Sequence, residues 1–283
     1  MNSKCLKLLL FGIFLIGVSN SCYTGSDPED IIEEVFSVPA EYCLVINNGI
    51  NDIVMDVNAI VMNNLDTKKD TIDDEIAKCV TPVIHRTGEV IDSVVIDYGT
   101  SSNCSSNGGS FRGKIIVEPT NENLQDFDIR LSDFIANGFD VTGGFSFNIV
   151  GREAGRNFSV STDAIKFSFS DSEETVFTFT VPSFEADYTY IRSENDDIDY
   201  VDDIYNLTSD IDITDPNGAQ MSLTSESDLV YAYSCENIIG GTAFFSLQDI
   251  GEGLVNYGGG NTLDNCDGIV SVTAEGSTIS VSL

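Results

Sequence analysis

Cysteine is the residue type in this chain whose placement points most directly to a chemical reaction. Cys22 follows a basic start, an apolar run over residues 8–18 and the small or polar residues 19–21. This order is typical of a bacterial secretion signal that is cut before a lipid-modified cysteine. The apolar run is shorter than the roughly 18 to 20 residues that cross a bilayer. We therefore predict a signal peptide at residues 1–21 and lipid attachment at Cys22.

The cleavage site has a second interpretation. Ser19 and Ser21 form a small-x-small site for ordinary signal peptidase, and Ser19 stands where Leu usually precedes a lipid-modified cysteine by three positions. Six cysteines remain after removal of the signal, so lipid on Cys22 leaves one of the other five unpaired, whereas its absence permits three disulfides. Either form belongs to a compartment that allows disulfides.

Two cysteine pairs close similar predicted hairpins. One hairpin runs from Cys79 through a turn near Gly88, the other runs from Cys235 through a turn near residues 251–253, and each returns to a loop that ends in another cysteine. Loops of this size are expected to give about 3 to 4 kcal/mol of stabilisation per disulfide. The shared design predicts two disulfides and one free thiol: Cys79–Cys104, Cys235–Cys266 and Cys43.

The sequence offers little support for a metal site or a catalytic site. No C-x-x-C spacing occurs, and the only histidine is His85, which lies beside Arg86 in an alternating, strand-like run. A phosphate loop is not indicated, because Asn-Thr-Leu follows the glycines at 258–260. We predict no cofactor, no metal site and no enzymatic activity. The alternative is a surface hydrolase that degrades polysaccharide with a pair of carboxylates.

A run of acidic residues offers one alternative metal site. Five carboxylates fall within residues 196–203, and calcium prefers several oxygen ligands. The D-x-[DN]-x-[DN]-G order of a calcium loop is absent here. A solvated loop is the preferred interpretation, and calcium binding is the alternative at Asp196, Asp199, Asp202 and Asp203.

Three side chains could form a ligand surface. Tyr188, Tyr190 and Arg192 alternate along one predicted strand and therefore share a face. Facing outward, they would present aromatic rings to a glycan or a peptide. Packing in the core or against a neighbouring strand is the preferred interpretation.

The chain is strongly acidic, with 46 Asp and Glu against 13 Lys and Arg and a net charge of −33. Such a surface repels phosphate backbones, so nucleic acid is excluded as a partner. Apolar residues make up 42% of the chain and alternate with the acids along most of its length. The sequence therefore predicts a folded protein with a charged surface, not a disordered tail.

These residues need elements to position them, and the first is a helix. Apolar residues recur at three- and four-residue steps over residues 42–61, which predicts an amphipathic helix at 40–66 packed on a sheet. Residues 22–39 mix acids with Pro28 and Pro39 and are predicted to be a flexible, lipid-anchored tether. The polar residues on the other side of the helix are Asn48, Asn51, Asp52, Asp56 and Asn58.

From Cys79 onward, hydrophobic residues alternate with polar ones. Runs such as Phe145-x-Phe147-x-Ile149 predict half-buried antiparallel strands, and the pairs Asn137-Gly138 and Asn217-Gly218 are hairpin signals. We expect roughly twelve to fifteen strands of ordinary length. The predicted fold is mainly β, with one large antiparallel sheet at 79–283 that is a meander, sandwich-like or extended. The amphipathic helix packs on it, and a disulfide closes a hairpin near each end.

Parts of the predicted sheet also resemble known proteins. The succession Val94-Val-Ile-Asp-Tyr-Gly99, Cys104 and Phe111-Arg-Gly-Lys-Ile-Ile-Val117, with the ending from Cys235 to Cys266, resembles a group of β-rich lipoproteins of Bacteroidota with unassigned function. The resemblance covers about residues 79–283 and carries over no catalytic or binding residue. It implies an outer-membrane lipoprotein, and the acidic residues that follow Cys22 are similar to an export cue for the cell surface: Asp27, Glu29 and Asp30.

These observations together predict a lipid-anchored protein of the outer membrane, facing the cell surface or the periplasm. Its expected role is binding or structural, with the membrane as one partner and a glycan or a protein as the candidate ligand. The alternatives are the polysaccharide-degrading hydrolase and a secreted, unlipidated, adhesin-like module.

Overall fold

The computed structural model describes residues 28–65, 80–100, 104–106, 109–150, 157–162, 164–170, 174–191, 203–235, 237–259, 266 and 268–283. Within them the chain forms one α-helix, α1 at Pro28–Leu65, and one 16-stranded sheet. The predicted mainly β fold, with a large antiparallel sheet and one N-terminal helix, is confirmed. The strands are β1 Thr81–Thr87, β2 Val90–Asp97, β3 Cys104–Ser106, β4 Gly109–Pro119, β5 Asp126–Ala136, β6 Phe139–Ile149, β7 Phe158–Thr162, β8 Ile165–Ser170, β9 Val176–Ile191, β10 Ile204–Thr214, β11 Gln220–Ser225, β12 Leu229–Ala232, β13 Asn237–Leu247, β14 Gly251–Gly259, β15 Ile269–Ala274 and β16 Ser277–Ser282.

The sheet is an antiparallel meander that follows the order of the chain. Some positions in the sheet are occupied by two short strands in succession. Both β2 and β3 pair with β4, both β7 and β8 lie between β6 and β9, and both β11 and β12 lie between β10 and β13. Short connections favour this arrangement, because consecutive antiparallel strands need only a tight turn between them.

Asparagine–glycine pairs lie in two of the hairpin turns, as the sequence predicts. Asn137 and Gly138 join β5 to β6 with φ values of 50° and 87°, the left-handed conformation that a tight type I′ turn requires. Asn217 and Gly218 lie in the longer turn between β10 and β11. There the Asp215 carboxylate accepts a hydrogen bond from the backbone N–H of Asn217 at 2.8 Å. Local side-chain chemistry is sufficient to form these turns.

Alternation along the strands separates the side chains into two faces. Phe145, Phe147 and Ile149 of β6 are buried, whereas Ser146 between them is exposed. Strands β5, β9 and β10 alternate in the same way over most of their length. One face of the sheet is therefore the hydrophobic core face, and the other is a polar outer face that meets water.

The sheet encloses α1. Every residue from 46 to 59 is buried, except the half-buried Asn48. The helix also contacts strands that are far apart in the sheet, because the ring centroid of Phe36 lies 6.3 Å from that of Phe245 in β13 and Tyr42 lies 4.8 Å from Phe179 in β9. The core face therefore curls around the helix, which explains burial on all sides.

The predicted start of the helix is corrected. It begins at Pro28, so residues 28–39 of the predicted tether are helical. Proline fits the first position of a helix, and the core contacts of Phe36 and Ala40, 5% and 0% exposed, hold the turn around Pro39 in helical form. The polar side of the helix is also covered, because tyrosines of the core face bind it. The polar helix residues that are buried are Asn47, Asn51, Asp52, Asp56 and Asn58.

The cysteine predictions are confirmed where the structure describes the residues. Cys235 and Cys266 form a disulfide with their Cα atoms 5.1 Å apart, and Cys43 is a free, buried thiol. Cys79 lies outside the described residues, so the Cys79–Cys104 disulfide stays a prediction. Residues 1–27, with the signal peptide and Cys22, also lie outside the described residues.

Candidate functional site

A groove on the outer face of the sheet, which we call the outer groove, is the candidate ligand site. It has a volume of about 590 Å³ and crosses β5, β6, β7, β9, β10 and β11, which are neighbours in that order. Over β6 and β7 the outward side chains of the groove are mostly short. Longer carboxylates stand on either side, at Asp128 of β5 and Glu185 of β9. These short side chains are Ser146, Ser159 and Ser161.

The strand register places the outward side chains of the groove in two cross-strand rows. Adjacent strands lie about 4.8 Å apart, so each row is a continuous line of hydrogen-bonding groups. From β5 to β11, the first row is Asp128, Ser146, Ser161, Glu185, Asp210 and Thr224. From β5 to β10, the second row is Asp126, Asn148, Ser159, Asp187 and Thr208.

Carboxylates determine the charge of the outer groove. Glu185 of β9 directly faces Asp210 of β10, and like charges in opposite positions destabilise a sheet. A ligand that donates hydrogen bonds or carries positive charge would relieve this repulsion. The residues that line the groove include no Lys or Arg, and five of them are acidic: Asp126, Asp128, Glu185, Asp187 and Asp210.

Neighbouring polar groups hold two of these carboxylates in place. Asp126 accepts hydrogen bonds from the side-chain amides of Asn121 and Asn148. Asp210 accepts one from the hydroxyl of Thr224 at 3.0 Å. Acceptors that are already positioned lose little freedom on binding, so these two carboxylates are preorganised.

A second set of carboxylates lies inside the protein, between α1 and the core face. Asp52 accepts a hydrogen bond from the Tyr231 hydroxyl at 2.9 Å. Asp56 accepts one from Tyr98 at 2.9 Å and one from Tyr233 at 3.4 Å. We call this set the inner cluster, and its members are Asn51, Asp52, Asp56, Asn58, Tyr98, Tyr188, Tyr205, Tyr231 and Tyr233.

Helix amides complete the inner cluster. The Tyr188 hydroxyl donates to Oδ1 of Asn51 at 2.5 Å, and Nδ2 of Asn58 donates to the Tyr205 hydroxyl at 3.2 Å. Burial raises the pKa of Tyr188 and of Tyr98, and the charges of Asp52 and Asp56 respectively raise these pKa values further. Both hydroxyls therefore stay protonated and donate at neutral pH. Because the cluster is closed to solvent, it serves to fix the helix inside the sheet.

The alternative of an aromatic ligand surface does not hold for the two tyrosines. Tyr188 is 1% exposed and belongs to the inner cluster, because its face of β9 is turned toward α1. Tyr190 is half-buried, with its ring centroid 5.5 Å from that of Tyr205. Inward packing, the preferred interpretation, holds for both tyrosines. Arg192 lies outside the described residues.

The other candidate residues lie away from the outer groove. His85 is exposed on β1. Asp203, one of the alternative calcium ligands, is 2% exposed and lies 3.4 Å from the Tyr205 hydroxyl. In the described part of the chain, no three or more His, Cys, Asp or Glu residues are placed to hold a metal ion. The other alternative calcium ligands lie outside the described residues: Asp196, Asp199 and Asp202.

Sequence reasoning missed the outer groove for a physical reason. Its lining residues come from strands spread over residues 120–225, and only the register between strands brings them together. Alternation shows that Asp128 and Asp210 face outward, but it does not show that they share one row. The signal that could have found the site is the pairing of short outward serines on β6 and β7 with outward acids on both sides.

Comparisons with known proteins assign no family. No protein-family model, curated protein or solved structure matches the chain. No helix in the described part of the chain combines the length and hydrophobicity that crossing a membrane requires.

Proposed function

We propose that the protein is a lipid-anchored outer-membrane protein that binds an extended polar ligand in its outer groove. The observation that carries the binding role is the pair of polar rows that line the outer groove. Concave sites with convergent polar groups are the usual places for ligand binding. A groove that crosses several strands suits a chain-like ligand with hydrogen-bonding groups along its length.

The N-terminal sequence supports a position on the membrane. A signal at residues 1–21 followed by Cys22 favours export and lipid attachment, and the acidic residues 27, 29 and 30 favour display at the surface. The Cys235–Cys266 disulfide fits an oxidising compartment. A protein tethered by its N-terminus can present the groove to a ligand in the surroundings.

Binding is favoured over hydrolysis by the exposure of the groove carboxylates. A glycosidase needs one carboxyl group that stays protonated, which apolar surroundings usually provide. Glu185 and Asp210 are both exposed among polar side chains. A hydrolase is the second candidate, because these two carboxylates face each other on adjacent strands.

Binding to soluble probes tests the role of the groove. The mature protein is run in native gels that contain xylan, dextran, mannan or a β-glucan, and is titrated with oligo-lysine by calorimetry. We expect binding to at least one probe, and at least a tenfold loss in the triple variant Asp128→Asn, Glu185→Gln, Asp210→Asn. Binding to none of the probes, or full binding by the triple variant, would refute the proposal. Release of reducing sugar ends from a retained polysaccharide would favour the hydrolase.

Intact mass spectrometry of the protein from the membrane fraction tests the anchor. We expect a chain that begins at Cys22 and carries two or three acyl groups, because more than one chain is needed for stable anchoring. A soluble chain with an unmodified Cys22 would support the secreted form instead.

A further inference from the structure

Phe244 is an aromatic residue on the outer face of the sheet, away from the core. It lies on β13 and is 45% exposed, whereas Phe245 beside it is fully buried. Among the described residues it is the only aromatic side chain with an exposed fraction this large. An aromatic ring contributes most to stability when it is buried, so a ring this exposed gives up part of that contribution.

The register places Phe244 at the end of the outer groove. Its cross-strand partner on β11 is Thr224, the last residue of the first row, and its partner on β14 is the half-buried Leu254. The ring therefore extends the first row by one strand, roughly 4.8 Å beyond Thr224. A ligand that follows this row from Asp210 across Thr224 would next meet an apolar, flat surface.

The chemistry of the row limits the ligand class. Carboxylates at Glu185 and Asp210 only accept hydrogen bonds, whereas the hydroxyls of Ser146, Ser161 and Thr224 both donate and accept. The Thr224 hydroxyl already donates to Asp210. A polycation would pair with the carboxylates and would make no use of the Ser146 and Ser161 hydroxyls as donors. A chain of sugar rings uses both, because each sugar hydroxyl donates and accepts, and the C–H face of a sugar ring packs on an aromatic ring.

We propose that the ligand is a neutral polysaccharide and that Phe244 is the residue on which one of its sugar rings stacks. The inference rests on the proposed binding role of the outer groove and adds a ligand class and a specificity-determining residue. In this arrangement the two rows bind sugar hydroxyls over β5 to β11, and Phe244 fixes the position of the chain at the β13 end.

Affinity electrophoresis in gels with xylan, dextran, mannan or β-glucan tests the inference. We expect retardation of the mature protein by at least one polysaccharide and at least a tenfold weaker affinity for Phe244→Ala. Phe244→Tyr should bind as well as the wild type, because it keeps the ring. The control is Val176→Ala, which removes a side chain that is 63% exposed on the outer surface at the start of β9, and it should bind normally.

The outcomes separate this inference from the proposed function. Binding of oligo-lysine alone, lost in the triple groove variant, would keep the groove as a site and overturn the polysaccharide. Polysaccharide binding that survives Phe244→Ala would overturn the role of the ring. Absence of binding to every probe would overturn both. A melting temperature for Phe244→Ala within a few degrees of the wild type shows that any loss of binding is not caused by unfolding.

Discussion

Carboxylates occur on both sides of the sheet, and the two sets differ in what surrounds them. Asp52 and Asp56 of the inner cluster are 6% exposed each and accept hydrogen bonds from tyrosine hydroxyls. Glu185 and Asp210 of the outer groove are exposed and face each other across two strands. The comparison teaches that the same residue type stabilises the fold where donors converge on it, and offers binding capacity where its acceptors remain open to solvent.

The largest expected effect is the difference in stability between a substitution in the inner cluster and one in the outer groove. Replacing Asp56 with Leu leaves the Tyr98 and Tyr233 hydroxyls without this acceptor in a buried place, so the free energy of unfolding should fall by about 3 kcal/mol. Asp128→Leu on the outer face should change it by less than about 0.5 kcal/mol. Urea unfolding followed by circular dichroism measures both. Equal losses in the two variants would contradict the comparison.

A matched pair of tyrosines sharpens the account of the inner cluster. The Tyr231 hydroxyl donates to Asp52, whereas the buried Tyr257 hydroxyl lies near the Asn47 side-chain amide without a hydrogen bond of good geometry. Tyr231→Phe should therefore lower the free energy of unfolding by about 2 kcal/mol, and Tyr257→Phe should leave it within about 0.5 kcal/mol. Chemical denaturation of both variants at pH 7 checks this. A Tyr257→Phe variant as unstable as Tyr231→Phe would contradict it.

Alkaline pH should lower the free energy of unfolding, because the buried acids resist ionisation in the folded protein. Burial raises the pKa of the Cys43 thiol from 9.0 to about 12, so the thiol ionises first in the unfolded chain. Its contribution is complete below pH 9 and is lost as the pH rises toward 12, at up to about 1.4 kcal/mol per pH unit. The buried Tyr98 and Tyr188 act in the same direction above their ordinary pKa of 10.0.

The contribution of the Cys43 thiol can be isolated by comparing how steeply the free energy of unfolding falls with pH in the wild type and in Cys43→Ala. Cys43→Ala changes stability at pH 7 through lost packing, but its loss of stability between pH 9 and pH 10 should be smaller than in the wild type. Unfolding free energies at half-unit pH intervals measure both slopes. Identical slopes would show that Cys43 does not stay protonated in the folded protein.

The smallest expected effect concerns the repulsion in the outer groove. Either Glu185→Gln or Asp210→Asn removes one of two charges that face each other, so each should raise the free energy of unfolding by a few tenths of a kcal/mol. The gain should disappear in 1 M salt, where the charges of the wild type are screened. A loss of stability in low salt would mean that these carboxylates have a structural role after all.

Local features of the fold could be predicted from the sequence. The helix, the alternation of Phe145 and Phe147, the Asn137-Gly138 turn and the Cys235–Cys266 disulfide each depend on residues close together in the chain or on a repeated spacing. Such features follow from periodicity and turn chemistry, which act over a few residues.

Features that depend on the curvature and register of the sheet could not be predicted. The polar side of the helix is typical of a surface exposed to water, yet Asn51 and Asp52 are buried because the sheet curls far enough to bring Tyr188 and Tyr231 to them. The first row likewise joins Asp128 to Thr224 through five strand pairings. A change of one residue in any of these registers would turn side chains to the other face.

The central claim is that recognition occurs on the outer face while the interior only holds the fold. Its most direct test is to measure, on one preparation of the triple variant Asp128→Asn, Glu185→Gln, Asp210→Asn, both the free energy of unfolding and the affinity for a polysaccharide that retards the wild type. We expect a variant at least as stable as the wild type that binds at least tenfold more weakly. A variant that binds with full affinity, or that loses binding only because it unfolds, would contradict the account.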